Sequence, residues 1–195
     1  MPRIGLNRDK VLTEAAIVAD ESGLEALTLA AVAKRLGVSL PGLYKHIESM
    51  DAVHRDLAVL GVRELNSVLA LATAGLAGRD ALHAVADAYR AYAKVHPGLT
   101  AASLRAPDPE DTEHVRVGET AVATPAAALR DYRLDDAGLV DAVRSLRIVL
   151  HGAASLEAAG GFGLAQSVDG TVARLIDGLD AAFRAWGGES RDRAG

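Results

Sequence analysis

Apolar residues recur every three or four positions along most of the chain, and Val and Ile do not cluster in alternating runs. This spacing places apolar side chains on one side of a helix and predicts an all-α fold. In the first segment, Val11, Ala15 and Ala19 share such a side. Asn7 can cap this helix, and Gly23 follows its expected end near residue 22.

Two short helices are expected next, separated by a tight turn. Thr28 is a natural cap for a helix over residues 29–36, and Gly37 suits the left-handed position that follows it. Ser39 can cap a third, short helix, which tolerates Pro41 in its first turn. This pattern is that of a helix-turn-helix, whose second helix lies in the major groove of DNA.

Glycine, proline and capping residues divide the remaining chain into longer helical segments. Between the fifth and sixth segments, residues 105–113 hold two prolines and four acids and are expected to form a surface loop. The segments are expected at residues 50–73 after Ser49, 80–96, 112–132 with a bend or restart at Pro125, 136–159 after Asp135, and from Ser167 or Asp169 to 186–188.

The exposed side of the third helix is the candidate surface for DNA. Lys45 can reach a phosphate or a guanine edge, and Leu40 can contact a thymine methyl group. Ser39 can offer a hydroxyl and a backbone amide to a phosphate. The residues expected on this side are Leu40, Pro41, Gly42, Tyr44, Lys45 and His46.

Charge and composition limit where nucleic acid can bind. The net charge of −5 argues against DNA binding over the whole surface, whereas residues 25–47 carry Lys34, Arg35 and Lys45 against a single acid. The absence of cysteine excludes disulfides, thiolate metal sites and cysteine nucleophiles. We find neither a secretion signal nor an apolar run of about 18 residues, so we expect a cytoplasmic protein with no membrane partner.

Residues 8–60 resemble the tetracycline-repressor (TetR) family of bacterial transcriptional regulators. Three positions depart from the pattern of that family: Ile47 replaces Phe, Met50 replaces Lys, and Gly42 replaces a small polar residue. Loss of the cation at residue 50 should weaken non-specific DNA binding. The resemblance is carried by Ala15-Ala16, Gly23, Leu27-Thr28, Val32-Ala33, Leu36-Gly37-Val38-Ser39, Leu43-Tyr44-Lys45-His46-Ile47 and Ser49.

The resemblance implies a dimeric regulator, more often a repressor, that a small molecule releases from a palindromic operator. It implies that Thr28, Ser39, Tyr44 and Lys45 hold phosphates or reach base edges. It also implies that the N-terminal residues Arg3 and Arg8 act as an arm on DNA. We expect a helix-turn-helix DNA-binding domain over residues 1–48, a helical-bundle domain for ligand binding and dimerisation over 49–188, and a disordered tail over 189–195.

The last two long helices each carry an apolar stripe, which fits a homodimeric four-helix bundle. The alternative is that both stripes only close the core of one chain. The motif Leu150-His151-Gly152 is similar to that of the TetR subgroup with a Trp-His-Gly signature, with Leu150 at the Trp position. The predicted interface residues are Leu139, Val143, Leu146, Leu150, Val172, Leu175, Ile176, Leu179 and Phe183.

A small-molecule effector is expected to bind within the C-terminal bundle. Tyr89, Tyr92 and His96 fall on one side of the fifth helix and offer two hydroxyls and an imidazole on an apolar wall. Arg144, Arg147 and His151 form a polar stripe on the seventh helix that could hold an anionic group. The alternative is structural: core tyrosines, a solvated arginine face and a histidine that bonds two helices.

Two other classes of protein compete with a regulator. The sequence lacks the Gly-x-Ser-x-Gly, His-Glu-x-x-His and phosphate-loop motifs of common enzymes, so we do not expect catalysis. Its six histidines are scattered along the chain, so we expect neither a metal nor a cofactor. The second competitor is a helical homodimer that binds a ligand or partner without operator-specific DNA binding. We therefore predict a transcriptional regulator whose partners are operator DNA, an effector and a second copy of the chain.

Overall fold

The computed structural model describes residues 5–194, and within that range the chain forms helices and no strand. Two short 3-10 turns, Leu24–Ala26 and Arg130–Tyr132, connect longer elements. The α-helices are α1 (Arg8–Ser22), α2 (Leu29–Leu36), α3 (Leu40–Leu43), α4 (Met50–Ala72), α5 (Gly78–Val95), α6 (Pro97–Ala102), α7 (Thr112–Ala128), α8 (Asp136–Ala158) and α9 (Val168–Ala194).

The predicted N-caps are confirmed, because each capping oxygen accepts a backbone N–H three residues further on. The Asn7 and Asp135 side chains accept from the N–H groups of Lys10 and Gly138 at 2.9 and 2.8 Å. The remaining four caps are hydroxyls: Thr28 accepts from Ala31, Ser39 from Gly42, Ser49 from Ala52 and Ser167 from Gly170.

The helices differ from the predicted segments at three places. Pro97 begins α6. The N–H groups in the first turn of a helix have no acceptor within that helix, so proline, which lacks an N–H, loses no hydrogen bond there. Helix α7 continues through Pro125 to Ala128 without restarting. Helix α9 passes through Gly187 to Ala194, beyond the predicted helix end at residues 186–188, and Gly195 lies outside the described residues.

Gly187 ends no helix and instead allows close packing. A Cβ atom at this position would collide with the carbonyl oxygen of Tyr132. The glycine therefore lets the turn Arg130–Tyr132 approach the backbone of α9.

The chain divides into two compact units. The first unit comprises the chain up to Glu64 together with Val95–Gly118, and the second comprises Leu65–Lys94 and the chain from Glu119 onward. The three divisions fall inside α4, before the last residue of α5 and inside α7. The predicted boundary between residues 48 and 49 falls inside the first unit. No helix in the described range is both long enough and apolar enough to cross a membrane.

The core of the first unit joins α1, α2, α3, α4 and α6. Val11, Val32, Leu43 and Leu57 are fully buried at its centre. Helix α6 lies against α1 at Gly98, where a Cβ atom would collide with the backbone of Ala19. The packing of α3 through Leu43 fixes which side of this short helix faces outward.

The core of the second unit contains most of the predicted dimer stripe, as in the alternative that the stripes close the core of one chain. Leu139 and Leu179 pack partly buried against this core, and Leu175 is exposed. A side chain buried in the core of one chain leaves little surface for a second copy. The stripe residues buried in the core of the single chain are Val143, Leu146, Leu150, Val172, Ile176 and Phe183.

Candidate DNA interface and effector site

The turn between α2 and α3 has the geometry of a helix-turn-helix. Gly37 adopts the left-handed conformation, with φ 67° and ψ 31°. The N–H of Val38 bonds the carbonyl of Ala33 at 3.0 Å, and the N–H of Gly37 bonds that of Lys34 at 3.2 Å. These two bonds close the end of α2 as a Schellman motif and direct the chain sharply into α3.

Helix α3 is a single turn of four residues, in line with the short helix predicted after Ser39. Leu43 and Ile47 anchor it in the core, while Leu40 and Tyr44 are 39% and 51% exposed. Pro41 and Lys45 are also exposed, whereas Gly42 and His46 are half-buried. The predicted DNA-facing residues therefore share one accessible surface, with His46 at its margin.

The two hydroxyl caps stand at the starts of α2 and α3. Thr28 and Ser39 are exposed, and each oxygen accepts a backbone N–H, at 3.2 and 3.3 Å respectively. An accepting hydroxyl keeps its own hydrogen for donation. Both side chains can therefore serve as helix caps and as donors to a phosphate at the same time.

Cations near this surface are less available than the sequence indicates. Arg35 donates to Glu14 and Glu21, both at 2.7 Å, so its charge is neutralised within the unit. Arg8 donates to Asp56 through two nitrogens, so its guanidinium is occupied on α4 rather than free as an arm. The other arm residue, Arg3, lies outside the described residues.

An ionic network behind the helix-turn-helix was not foreseen from the sequence. Arg55 on α4 donates to both carboxylate oxygens of Asp111, to Asp56 at 2.9 Å and to Glu113 at 3.3 Å. Arg63 adds a bond of 2.6 Å to Glu113. The acidic stretch that we predicted as a plain surface loop is therefore tied to α4 within the first unit.

This network also changes the acidity of its carboxyl groups. The Arg55 guanidinium, followed by the backbone N–H of His114, holds the pKa of Asp111 well below its ordinary value. Arg63 likewise lowers the pKa of Glu113. Both carboxylates therefore stay ionised through the physiological range.

Three of the predicted effector residues come together in the second unit. Tyr89 is buried, and its hydroxyl lies 3.5 Å from Nδ1 of His151. Burial raises the pKa of Tyr89, and the charge of Arg147 partly opposes that rise. Burial and then Arg147 lower the pKa of His151, which favours the neutral form of its imidazole. This group combines a hydroxyl, a neutral imidazole and a nearby cation.

The other predicted effector residues have different surroundings. Tyr92 is buried in the second unit, and Arg144 is exposed beside Asp141 at 3.9 Å. His96 belongs to the first unit, where its Nδ1 lies 2.9 Å from Asp20. Asp20 also accepts the N–H groups of Gly98 and Leu99, at 2.8 and 3.1 Å. The Asp20 contact gives His96 a structural role beside the start of α6, and its part in an effector site stays a prediction.

Comparison with known proteins assigns the two parts of the chain to one family. Residues 11–57 match the family model described as bacterial regulatory proteins of the tetR family. Residues 82–179 match the model described as the tetracyclin repressor-like C-terminal domain, which covers half of the chain. The chain belongs to the TetR family. The family match thus includes both α1–α3 and most of the helices of the second unit.

Relatives of this TetR-family regulator occur in distant bacteria. The HTH-type transcriptional regulator Rv0681 of Mycobacterium tuberculosis is 33% identical over 80% of this chain and 72% of its own length. The HTH-type transcriptional regulator YobS of Bacillus subtilis is 32% identical over 77% and 78%. The solved structure of a TetR variant from Acinetobacter baumannii, in complex with minocycline, superposes with a TM-score of 0.65 at 23% identity, over 93% of this chain and 98% of that one. The Trp-His-Gly subgroup stays a prediction.

Proposed function

We propose that this TetR-family regulator binds a palindromic operator as a homodimer and represses transcription until a small-molecule effector releases it. The observation that carries the proposal is the accessible surface of α3, held outward by the buried Leu43. The exposed hydroxyls of Thr28 and Ser39 flank that surface as phosphate donors, and Lys45 adds a cation. The chain would act in the cytoplasm, where operator DNA lies.

The proposed dimer uses the exposed side of α8 and α9, which pack against each other. Ile148 on α8 is 72% exposed and Leu175 on α9 is 47% exposed, and Val140 adds a third apolar group. Exposed apolar groups on neighbouring helices favour burial against a second copy. A two-fold dimer presents two α3 surfaces to two half-sites, as a palindrome requires.

The dimer can be tested by Ile148→Glu, which places a charge on the proposed interface. We expect the variant to sediment as a monomer and to lose affinity for an inverted repeat, while remaining folded. Leu71→Glu is the matched control, because Leu71 is 79% exposed on α4 rather than on α8 or α9. A dimeric Ile148→Glu protein would contradict this choice of interface.

The proposed effector site is the group formed by Tyr89, His151 and Arg147. A ligand with an apolar body and an anionic group fits a buried hydroxyl, a neutral imidazole and a cation. The minocycline complex of the A. baumannii protein supports a small-molecule effector in this fold. Helix α4 contributes residues to both units and is our proposed route for the signal.

The effector site can be tested by release of a fluorescent operator in a compound screen. An anionic effector should release the wild-type protein at lower concentration than it releases Arg147→Gln. Both proteins should bind the operator equally without the compound. If no compound changes operator affinity, the proposed release is wrong.

Operator binding itself is tested by selecting bound duplexes from a random pool at two salt concentrations. We expect an inverted repeat, with weaker binding by Tyr44→Phe and Lys45→Ala. Failure to enrich any duplex at low salt would favour the alternative, a helical homodimer that binds a ligand or partner without operator-specific DNA binding.

A further inference from the structure

The outward side of α3 is mainly apolar, and we call Leu40, Pro41, Gly42 and Tyr44 the α3 face. We propose that this face recognises the operator chiefly through thymine C5-methyl groups, with Leu40 as the main contact. The proposal rests on the operator binding proposed above and specifies what the operator must contain.

The α3 face offers little that can read base edges by hydrogen bonds. Direct readout of that kind uses Arg, Lys, Asn, Gln, Asp or Glu side chains. None of these occurs at positions 40 to 42, at the start of α3. The hydroxyl of Ser39 caps α3 by accepting the N–H of Gly42 at 3.3 Å, and the function proposed above uses its hydrogen for a phosphate. The cation of Lys45 lies beyond the helical turn, where a phosphate contact suits it.

The packing of α3 determines which groups can approach the groove. Leu43 is completely buried, so the opposite side of the turn faces outward. Leu40 and Tyr44 lie one turn apart on that side, and the N–H of Tyr44 bonds the carbonyl of Leu40 at 3.3 Å. Their side chains therefore form one continuous exposed surface, with Pro41 beside them.

Gly42 adds no side chain to the α3 face, so the backbone of α3 is accessible there. A Cβ atom at residue 42 would meet only Oγ of Ser39 at 3.3 Å and Cβ of Val38 at 4.0 Å, both on the chain just before α3. The core therefore does not require glycine here. The missing side chain lets the α3 backbone approach the edges of the bases and brings Leu40 and Pro41 within van der Waals reach.

Thymine is the natural partner of such a surface. Its C5-methyl group is the apolar feature that distinguishes it in the major groove. Burial of one methyl group strengthens binding by about fourfold. An exposed leucine against one or two such groups in each half-site can therefore discriminate between sequences without any hydrogen bond to a base.

The test uses the duplex selected for operator binding and replaces its thymines one at a time with deoxyuridine, which removes only the methyl group. We expect uracil to lower affinity about three- to tenfold at one or two positions in each half-site. Leu40→Ala should bind the thymine duplex more weakly and should lose the difference between thymine and uracil at those positions. Lys45→Ala is the matched control, since it should weaken both duplexes equally and keep the difference.

Leu40 is exposed, so its truncation should leave the unfolding temperature nearly unchanged, which a thermal melt verifies. Binding that is insensitive to uracil at every position would overturn the inference and leave operator binding intact. A uracil effect of equal size in Leu40→Ala would overturn the role of Leu40. Failure to bind any duplex would instead overturn the proposed function, and the inference with it.

Discussion

Arg8 donates two hydrogen bonds to the carboxylate of Asp56, through Nε at 2.9 Å and Nη2 at 2.8 Å. The Asp56 side chain is only 10% exposed, whereas that of Arg8 is 58% exposed. Arg55 donates a third bond to the same carboxylate at 2.9 Å. The first residue of α1 is therefore fixed to the second turn of α4 within the first unit.

Arg8→Ala should lower the free energy of unfolding by about 1 kcal/mol, because the buried carboxylate keeps only one arginine partner. Urea unfolding followed by circular dichroism measures the change. The matched control is Arg116→Ala, which removes an exposed arginine of α7 that has no ion pair among the described residues. Equal stability of Arg8→Ala and the wild type would show that the pair is only a surface contact.

The helix-turn-helix could be predicted from the sequence because its signals are local. Thr28 and Ser39 act within three residues, and Gly37 needs only its own backbone freedom. The ionic network could not be predicted in this way, since Arg55 and Asp111 lie 56 residues apart and nothing in either segment identifies its partner.

The spacing of apolar residues likewise does not show whether an apolar stripe packs against the core of its own chain or against a second copy. The spacing of Leu146 and Phe183 correctly marks the apolar sides of α8 and α9, but those sides are covered by the second unit's own core. Ile148 is exposed and off the predicted stripe, so only the folded chain identifies it. The structural role of a glycine is equally ambiguous in the sequence. Gly98 and Gly187 lie within helices and allow close packing, whereas the sequence suggested that they end helices.

Gly98→Ala tests the close packing of α6 on α1. The new methyl group would collide with the Ala19 carbonyl and lie 2.6 Å from the backbone nitrogen of Asp20, so the free energy of unfolding should fall by about 2 kcal/mol. Gly118→Ala is the matched control in the same unit, because its methyl group meets only Cγ of Pro107 at 3.7 Å.

The control should be stabilised by about 0.5–1 kcal/mol, since alanine is the better helix former. Chemical denaturation of both variants gives the comparison. A Gly98→Ala protein as stable as the control variant would mean that α6 can move away from α1 without cost.

Asp111 should make the protein sensitive to acid. Its pKa is lowered in the folded state, first by Arg55 and then by the His114 N–H, so its ionised form stabilises the fold. That stabilisation is complete above the ordinary pKa of 3.8 and is lost as the pH falls from there through the lower folded-state value. Asp111→Asn should therefore melt at a lower temperature than the wild type at pH 7, and the difference should shrink towards pH 2.

Thermal melts at several pH values between 2 and 7 measure this effect. Glu110→Gln is the control, because Glu110 is an exposed acid in the same loop. Its melting profile should follow that of the wild type. A difference between Asp111→Asn and the wild type that stays constant with pH would assign the effect to lost hydrogen bonds alone.

The last prediction separates available cations from neutralised ones by the salt dependence of operator binding. Lys45 is exposed, and no ion pair is found for it within residues 5–194, whereas Arg35 is held by Glu14 and Glu21. Each phosphate contact contributes about −0.9 to the slope of log affinity against log salt, and a dimer presents each residue twice. Lys45→Ala should therefore reduce the slope by about 2, and Arg35→Ala by less than half as much.

Titrations between about 50 and about 300 mM salt measure both slopes. Equal reductions would mean that DNA draws Arg35 away from its two carboxylates, and the basic surface would then be larger than the free protein presents.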